Sequence, residues 1–167
     1  MSFCVAPSFF QGSWQDIFNL KQHLQEFLNS YLERIEQKLA LGQQSLKEIG
    51  HRDFAWQKAR EFYRDRVGQA YLFDQGYWHM SNQGYIKSTL TLISDRAAER
   101  VLDFGGGIGT HAIAAALCPQ VEQVVYCDLN PIHRNFVESR AAKLGLSDKI
   151  SCCLQVSPRE VFEAIIC

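Results

Sequence analysis

Arg100-Val101-Leu102-Asp103-Phe104-Gly105-Gly106-Gly107-Ile108-Gly109-Thr110 is the stretch that decides the fold. It starts as a short apolar strand, places one acid near the strand's end, and opens into a glycine-dense turn. The Ala- and Leu-rich run from His111 to Cys118 then reads as a helix. Strand, glycine turn and helix in that order form the context of a nucleotide-type ligand site. Glycines let the backbone approach a ligand where a Cβ would collide. The helix start behind them offers unpaired N–H groups and a partial positive charge.

Downstream the same rhythm repeats. Gln123-Val124-Val125-Tyr126-Cys127 reads as a second strand ending at Asp128, and Asn130-Pro131 supplies an N-cap and an N1 residue for a second helix. That helix carries Ile132, Phe136, Val137 and Ala141, with Gly145 as its C′ residue. A third strand is expected over 149–155, and a fourth over 161–167 after a short link through Ser157-Pro158. A parallel crossover takes about a dozen residues or more, so the fourth strand is expected to start late, near Ala164. Alternating strands and helices predict an α/β fold with a parallel sheet of about four strands.

Upstream the pattern is helical. Ile17, Leu20, Leu24, Phe27, Leu28, Tyr31, Ile35 and Leu39 recur at three and four, predicting one amphipathic helix from Asp16, packed on its own domain and stopped at Gly42. A second helix is expected from Gln43 or Asp53 to Val67, its alternating charges forming a solvated face. The aromatic segment 70–80 is expected to turn at Gly76, and a third helix runs from Ser81 or Asn82 to Ser94. The division is therefore a helical segment over 1–98, then a sheet domain over 99–167.

Composition narrows the partners. Lys plus Arg number 17 and Asp plus Glu 18 in 167 residues, so no net field draws nucleic acid or an anionic membrane. The 47% apolar and 21% charged content belongs to a folded globular chain. No apolar run approaches the roughly 20 residues that span a bilayer. Residues 1–14 lack the basic and long apolar regions of a signal peptide, so a cytoplasmic location is expected. The cysteines (Cys4, Cys118, Cys127, Cys152, Cys153, Cys167) show no C-x-x-C pair and no zinc-finger spacing to His, so no metal site is expected. Those at 127, 152, 153 and 167 sit in apolar runs and read as buried small apolar side chains.

Two acids complete the site. A carboxylate ending the second strand, Asp128, is placed to accept both hydroxyls of a ribose. The dinucleotide fingerprint G-x-G-x-x-G is not met, because Thr110 stands where its third glycine belongs; the pattern is D-x-G-x-G-x-G. Asp103 to Gly109 together with Asp128-Leu129-Asn130-Pro131 resembles the cofactor half of class I (Rossmann-like) S-adenosylmethionine-dependent methyltransferases. The resemblance covers roughly 100–167, and Phe162-Glu163-Ala164-Ile165-Ile166-Cys167 is similar to that family's fourth strand.

The resemblance implies a strand order of 3-2-1-4, the N-terminal half of a Rossmann-like domain over 99–167, S-adenosyl-L-methionine as cofactor and methyl transfer to a small organic or lipid-like acceptor. It implies that Asp103 holds the methionine amino group through water. Gly105, Gly107 and Gly109, with Gly106 among them, would let the backbone pass close to the methionine and sugar. Asp128 would bind the ribose diol, and Leu129 would lie against adenine. Helices ahead of the glycine motif often cover cofactor and acceptor in that family, which makes Tyr71, Tyr77 and Trp78 substrate-side candidates and His79 a candidate general base.

Two departures stand out. The family often has an acid after the third strand, whereas Gln155-Val156-Ser157 offers none. The sequence also stops within the fourth strand, which leads to the expectation of a truncated or split chain with a sheet edge open to self-association or a partner chain. The alternatives are thus a non-catalytic fragment completed by a partner, and an NAD-type oxidoreductase, which Thr110 disfavours.

Overall fold

A computed structural model describes residues 19–49 and 55–167. The irregular start over 1–14, the helix start at Asp16, Cys4 and the alternative helix start at Asp53 lie outside them. The elements run α1 (Leu20–Leu28), α2 (Leu32–Ile49), α3 (Trp56–Glu61) continuing into a π-helical turn (Phe62–Val67), α4 (Ala70–Ser81) and α5 (Gln83–Arg96). Then follow β1 (Glu99–Phe104), α6 (Thr110–Leu117), β2 (Val121–Cys127), α7 (Pro131–Lys143), β3 (Ile150–Cys153) and β4 (Ala164–Ile166).

The protein is an α/β fold: the four strands form one parallel sheet in the order β3-β2-β1-β4. Period-two alternation divides its faces. Val101, Val124, Tyr126 and Ile150 join Ala112 to Ala116 of α6, Val137 and Ala141 of α7 and Ile86, Leu90 and Ile93 of α5 in the main core. Small alanines let α6 lie close against the strands. Leu102, Val125 and Cys127 point to the other face, where Val156 and Phe162 of the β3–β4 link cover them.

That link has no helix, and Arg100 fastens it instead. The Arg100 guanidinium pairs with Glu160, donates to the Val161 carbonyl at 3.3 Å and lies 4.7 Å from the centre of the Phe162 ring. The short connection makes β4 begin at Ala164, and β3 stops at Cys153 rather than reaching Gln155.

The helix ends follow local chemistry. Asn130 Oδ1 accepts the Ile132 N–H at 2.9 Å and Pro131 opens α7. At the other end Leu146 N–H bonds the Ala141 carbonyl and Gly145 N–H the Ala142 carbonyl, a Schellman motif with Gly145 at φ 69.

The N-terminal helices correct the sequence reading in three places. The single helix expected to run to a stop at Gly42 breaks after Leu28, because Asn29 adopts φ 45 and closes a second Schellman motif, Ser30 to Gln25 and Asn29 to Glu26. Gly42 does not stop α2, and Gly76 does not turn the chain: both lie inside helices. They are contact points instead. A Cβ at Gly42 would come within 2.9 Å of the Asp74 backbone, and one at Gly76 within 3.1 Å of Leu39. Close helix approach, not chain reversal, is what these glycines serve.

The apolar stripe packs within the chain: Leu20, Leu24, Ile35, Leu39, Leu72 and Phe73 share a core with Ile108 of the glycine turn and Phe136 of α7. Cys118 and Cys127 are buried and Cys152 and Cys153 half-buried, but Cys167 is exposed, because β4 lies at the sheet's edge. Among the described residues, no helix is long and apolar enough to cross a membrane.

Candidate functional site

A cavity of about 640 Å³ opens at the C-terminal ends of β1 and β2, where parallel α/β sheets bind ligands. Its floor is Phe104, Gly105, Cys127 and Asp128 at the strand ends. Leu129 and His133 make one wall, and Leu154, Gln155 and Val156 another. Tyr63, Tyr71 and Gln75 close it from the helical side.

Asp128 is fixed by backbone. Its Oδ2 accepts the Gly107 N–H at 3.0 Å and its Oδ1 the Asn130 N–H at 2.7 Å. One carboxylate thus joins the glycine turn to the start of α7. Each oxygen keeps a second lone pair, so Asp128 can accept further bonds from a ligand in the cavity. Asn130 extends the network, its Nδ2 donating to the Gly68 carbonyl at 2.9 Å, which anchors the end of the π-helical turn that carries Tyr63.

The turn is crowded from within. Gly105, Gly107 and Gly109 have φ of 72, 55 and 73. A Cβ at Gly106 would overlap the Asp103 carboxylate and the Tyr126 ring, and one at Gly107 the Gln75 carboxamide. Gln75 Oε1 accepts the Ile108 N–H at 2.9 Å, so a side chain of α4 takes one of the turn's donors. The Tyr126 hydroxyl donates to the Gly107 carbonyl.

Asp103 lies beneath this turn, 1% exposed, and does not line the cavity. Its Oδ2 accepts the Ala112 N–H at 3.0 Å and so serves the first turn of α6. Burial lifts its carboxyl to about 7, and the Asp128 charge pushes the same way against the Ala112 bond.

The sequence-derived residues therefore separate. Gly105, Asp128, Leu129 and Tyr71 meet around the cavity. Gly106, Gly107, Gly109 and Asp103 build the turn behind it. Tyr77 and Trp78 are largely exposed and line no part of it. His79 faces His111 instead, ring centres 6.2 Å apart, and burial, then the His111 charge, takes its imidazole down to about 3.

Several cavity residues escaped the sequence reading: Tyr63, Gln75, Phe104, His133, Leu154, Gln155 and Val156. One signal was available, since Tyr71 and Gln75 are four apart and share a helix face. His133 is 2% exposed, and neither ring nitrogen has a hydrogen-bond partner among the described residues. Its Nδ1 stands 3.6 Å from Asp128 Oδ2.

No protein-family model, curated protein or solved structure matches the chain.

Proposed function

We propose that this chain binds S-adenosyl-L-methionine in the cavity and takes part in methyl transfer to a small organic or lipid-like acceptor. The observation that carries the reading is Asp128. It is an acid at the end of β2, held by the glycine turn's own N–H, in a cavity whose lining includes Tyr63, Tyr71, Leu129, Leu154 and Val156. A carboxylate set among apolar and aromatic surfaces suits a nucleoside, whose diol needs acceptors and whose base needs flat apolar contact. The cavity volume lies within the roughly 300–1,000 Å³ of small-molecule sites.

Bound there, S-adenosylmethionine supplies an electrophilic methyl on sulfur. The residues around the cavity orient the ligand and exclude water. Gln75, not Asp103, is the polar side chain at the cavity's glycine end, and its carboxamide offers both a donor and an acceptor to an amino-acid group. Alignment of the acceptor behind the methyl matters more to such a transfer than a reactive side chain, and the described residues supply no imidazole base at the cavity apart from His133.

A second reading, a subunit completed by a partner chain, is favoured by the outer edge of β4, which among the described residues pairs with β1 alone, and by Ile165, 63% exposed.

Isothermal titration with S-adenosylmethionine, S-adenosylhomocysteine and NAD separates the readings. Binding of the first two that weakens at least ten-fold in Asp128→Ala is expected. A folded, monodisperse chain that binds neither would sink the methyltransferase reading, and binding of NAD alone would replace it.

A further inference from the structure

We infer that His133 is a second ligand-gripping residue, which with Asp128 forms a clamp for the vicinal diol of a ribose. The inference rests on the nucleoside reading of the cavity but not on S-adenosylmethionine being the nucleoside. His133 sits in the first turn of α7, on the cavity wall, with both ring nitrogens buried and, among the described residues, without a hydrogen-bond partner. An imidazole buried without a partner is costly, and native structures rarely leave one so without a ligand or water to meet it. Among the described residues its ring lies 6.1 Å from that of Tyr71, centre to centre, and its Nδ1 stands 3.6 Å from Asp128 Oδ2, beyond hydrogen-bond reach.

The chemistry of the pair selects the ligand. A carboxylate such as that of Asp128 offers acceptors, whereas an imidazole can both donate and accept. A ligand that satisfies both must present at least one donor to the carboxylate and a second group able to give or take a hydrogen bond beside it. Two adjacent hydroxyls do this. A 2′-phosphate does not, because it would meet the Asp128 charge. Asp128 alone would hold a diol through one side chain; His133 makes both hydroxyls count, so the pair sets specificity for ribose over deoxyribose.

The test is titration of the full chain with S-adenosylhomocysteine, adenosine and their 2′-deoxy and 3′-deoxy counterparts, in wild type, His133→Phe and His133→Gln. Wild type is expected to bind each deoxy counterpart about ten-fold or more weakly than its parent. His133→Phe loses that discrimination together with about ten-fold in affinity for the parents, and His133→Gln recovers part of both. Ring resonances of ¹⁵N-histidine in wild type report the contact without any variant, and those of His133 shift on saturation with ligand. Unmoved resonances, or a folded His133→Phe with wild-type affinity and discrimination, overturn the inference while S-adenosylhomocysteine binding leaves the methyltransferase reading standing. Diol-dependent binding of adenosine without S-adenosylhomocysteine binding does the reverse. A folded wild type that binds none of these ligands removes both.

Discussion

Arg140 Nε donates to His23 Nδ1 at 3.2 Å, and the same guanidinium donates through Nη1 to the Ile108 carbonyl at 2.6 Å. One buried cation on α7 thereby ties the first helix to the glycine turn. Arg140 is 1% exposed, and burial brings its guanidinium down to about 9. Phe136 lies beneath it, 5.6 Å from ring centre to guanidinium carbon. The helical segment and the sheet are joined here by polar bonds as well as by shared core.

Arg140→Met is expected to destabilise the protein strongly. The thioether fills part of the space but leaves the Ile108 carbonyl and His23 Nδ1 without this donor, and an unmet buried polar group costs about 1–3 kcal/mol. A chain of this length loses about 2–4 °C of Tm per kcal/mol, so calorimetry is expected to show a fall on the order of 5–15 °C. A Tm within a degree or two of wild type would show that this bridge contributes little.

His23 makes the bridge pH-sensitive. Burial, then the charges of Arg140 and Lys143, take its imidazole from 6.5 down to about 4, against a smaller opposing pull from Glu26. Below pH 6.5 the unfolded chain takes up a proton that the folded chain refuses until about pH 4. Stability from this group is therefore present above 6.5 and lost as pH falls, by on the order of 3 kcal/mol at the acid limit. His23→Gln keeps an acceptor for Arg140 and removes the titration. Urea unfolding between pH 4 and 7 is expected to show a shallower pH slope in the variant; equal slopes would assign the acid sensitivity elsewhere, His79, taken down to about 3, being the next candidate.

Asp103 acts with the opposite sign. Its folded value of about 7 lies above the ordinary 3.8, so the folded chain holds a proton that the unfolded chain releases. That contribution is full below pH 3.8 and disappears as pH rises through 7. Asp103→Asn can still accept the Ala112 N–H and does not titrate. The stability difference between variant and wild type is expected to move toward the variant by on the order of 4 kcal/mol from pH 4 to 8. Parallel urea midpoints across that range would mean that the carboxyl is ionised in the fold.

The sheet was legible because its signals are local. The apolar runs Val101 to Phe104 and Gln123 to Cys127, the Asn130-Pro131 cap and Gly145 each act within a few residues. Gly42 and Gly76 misled for the same reason: whether a glycine ends a helix or admits a neighbouring helix depends on a partner far along the chain. The candidate site divides similarly. Gly105 and Asp128 sit at strand ends that can be read off the sequence. Tyr63, Gln75 and His133 reach the cavity only through a π-helical turn, the packing of α4 and the buried side of α7. Asp103 occupies the familiar motif position, yet its carboxylate turns inward to Ala112.

The glycine turn gives a last prediction, because Gly105 and Gly109 have almost the same backbone and different surroundings. With φ of 72 and 73, either position strains an alanine by about 1–2 kcal/mol. A Cβ at Gly109 would also overlap the Val137 side chain, whereas one at Gly105 meets nothing within 4 Å. Overpacking a close contact adds about 1–3 kcal/mol, so Gly109→Ala is expected to lose on the order of 2–4 kcal/mol and Gly105→Ala about half of that. Binding is expected to reverse the ranking. Gly105 lines the cavity, so its Cβ takes ligand space, while Gly109 lies behind the turn. Among folded protein, titration with S-adenosylhomocysteine should weaken more in Gly105→Ala than in Gly109→Ala. Equal losses of stability would place the α6–α7 contact farther apart than 109 and 137 imply, and unchanged binding in Gly105→Ala would move the ligand away from the end of β1.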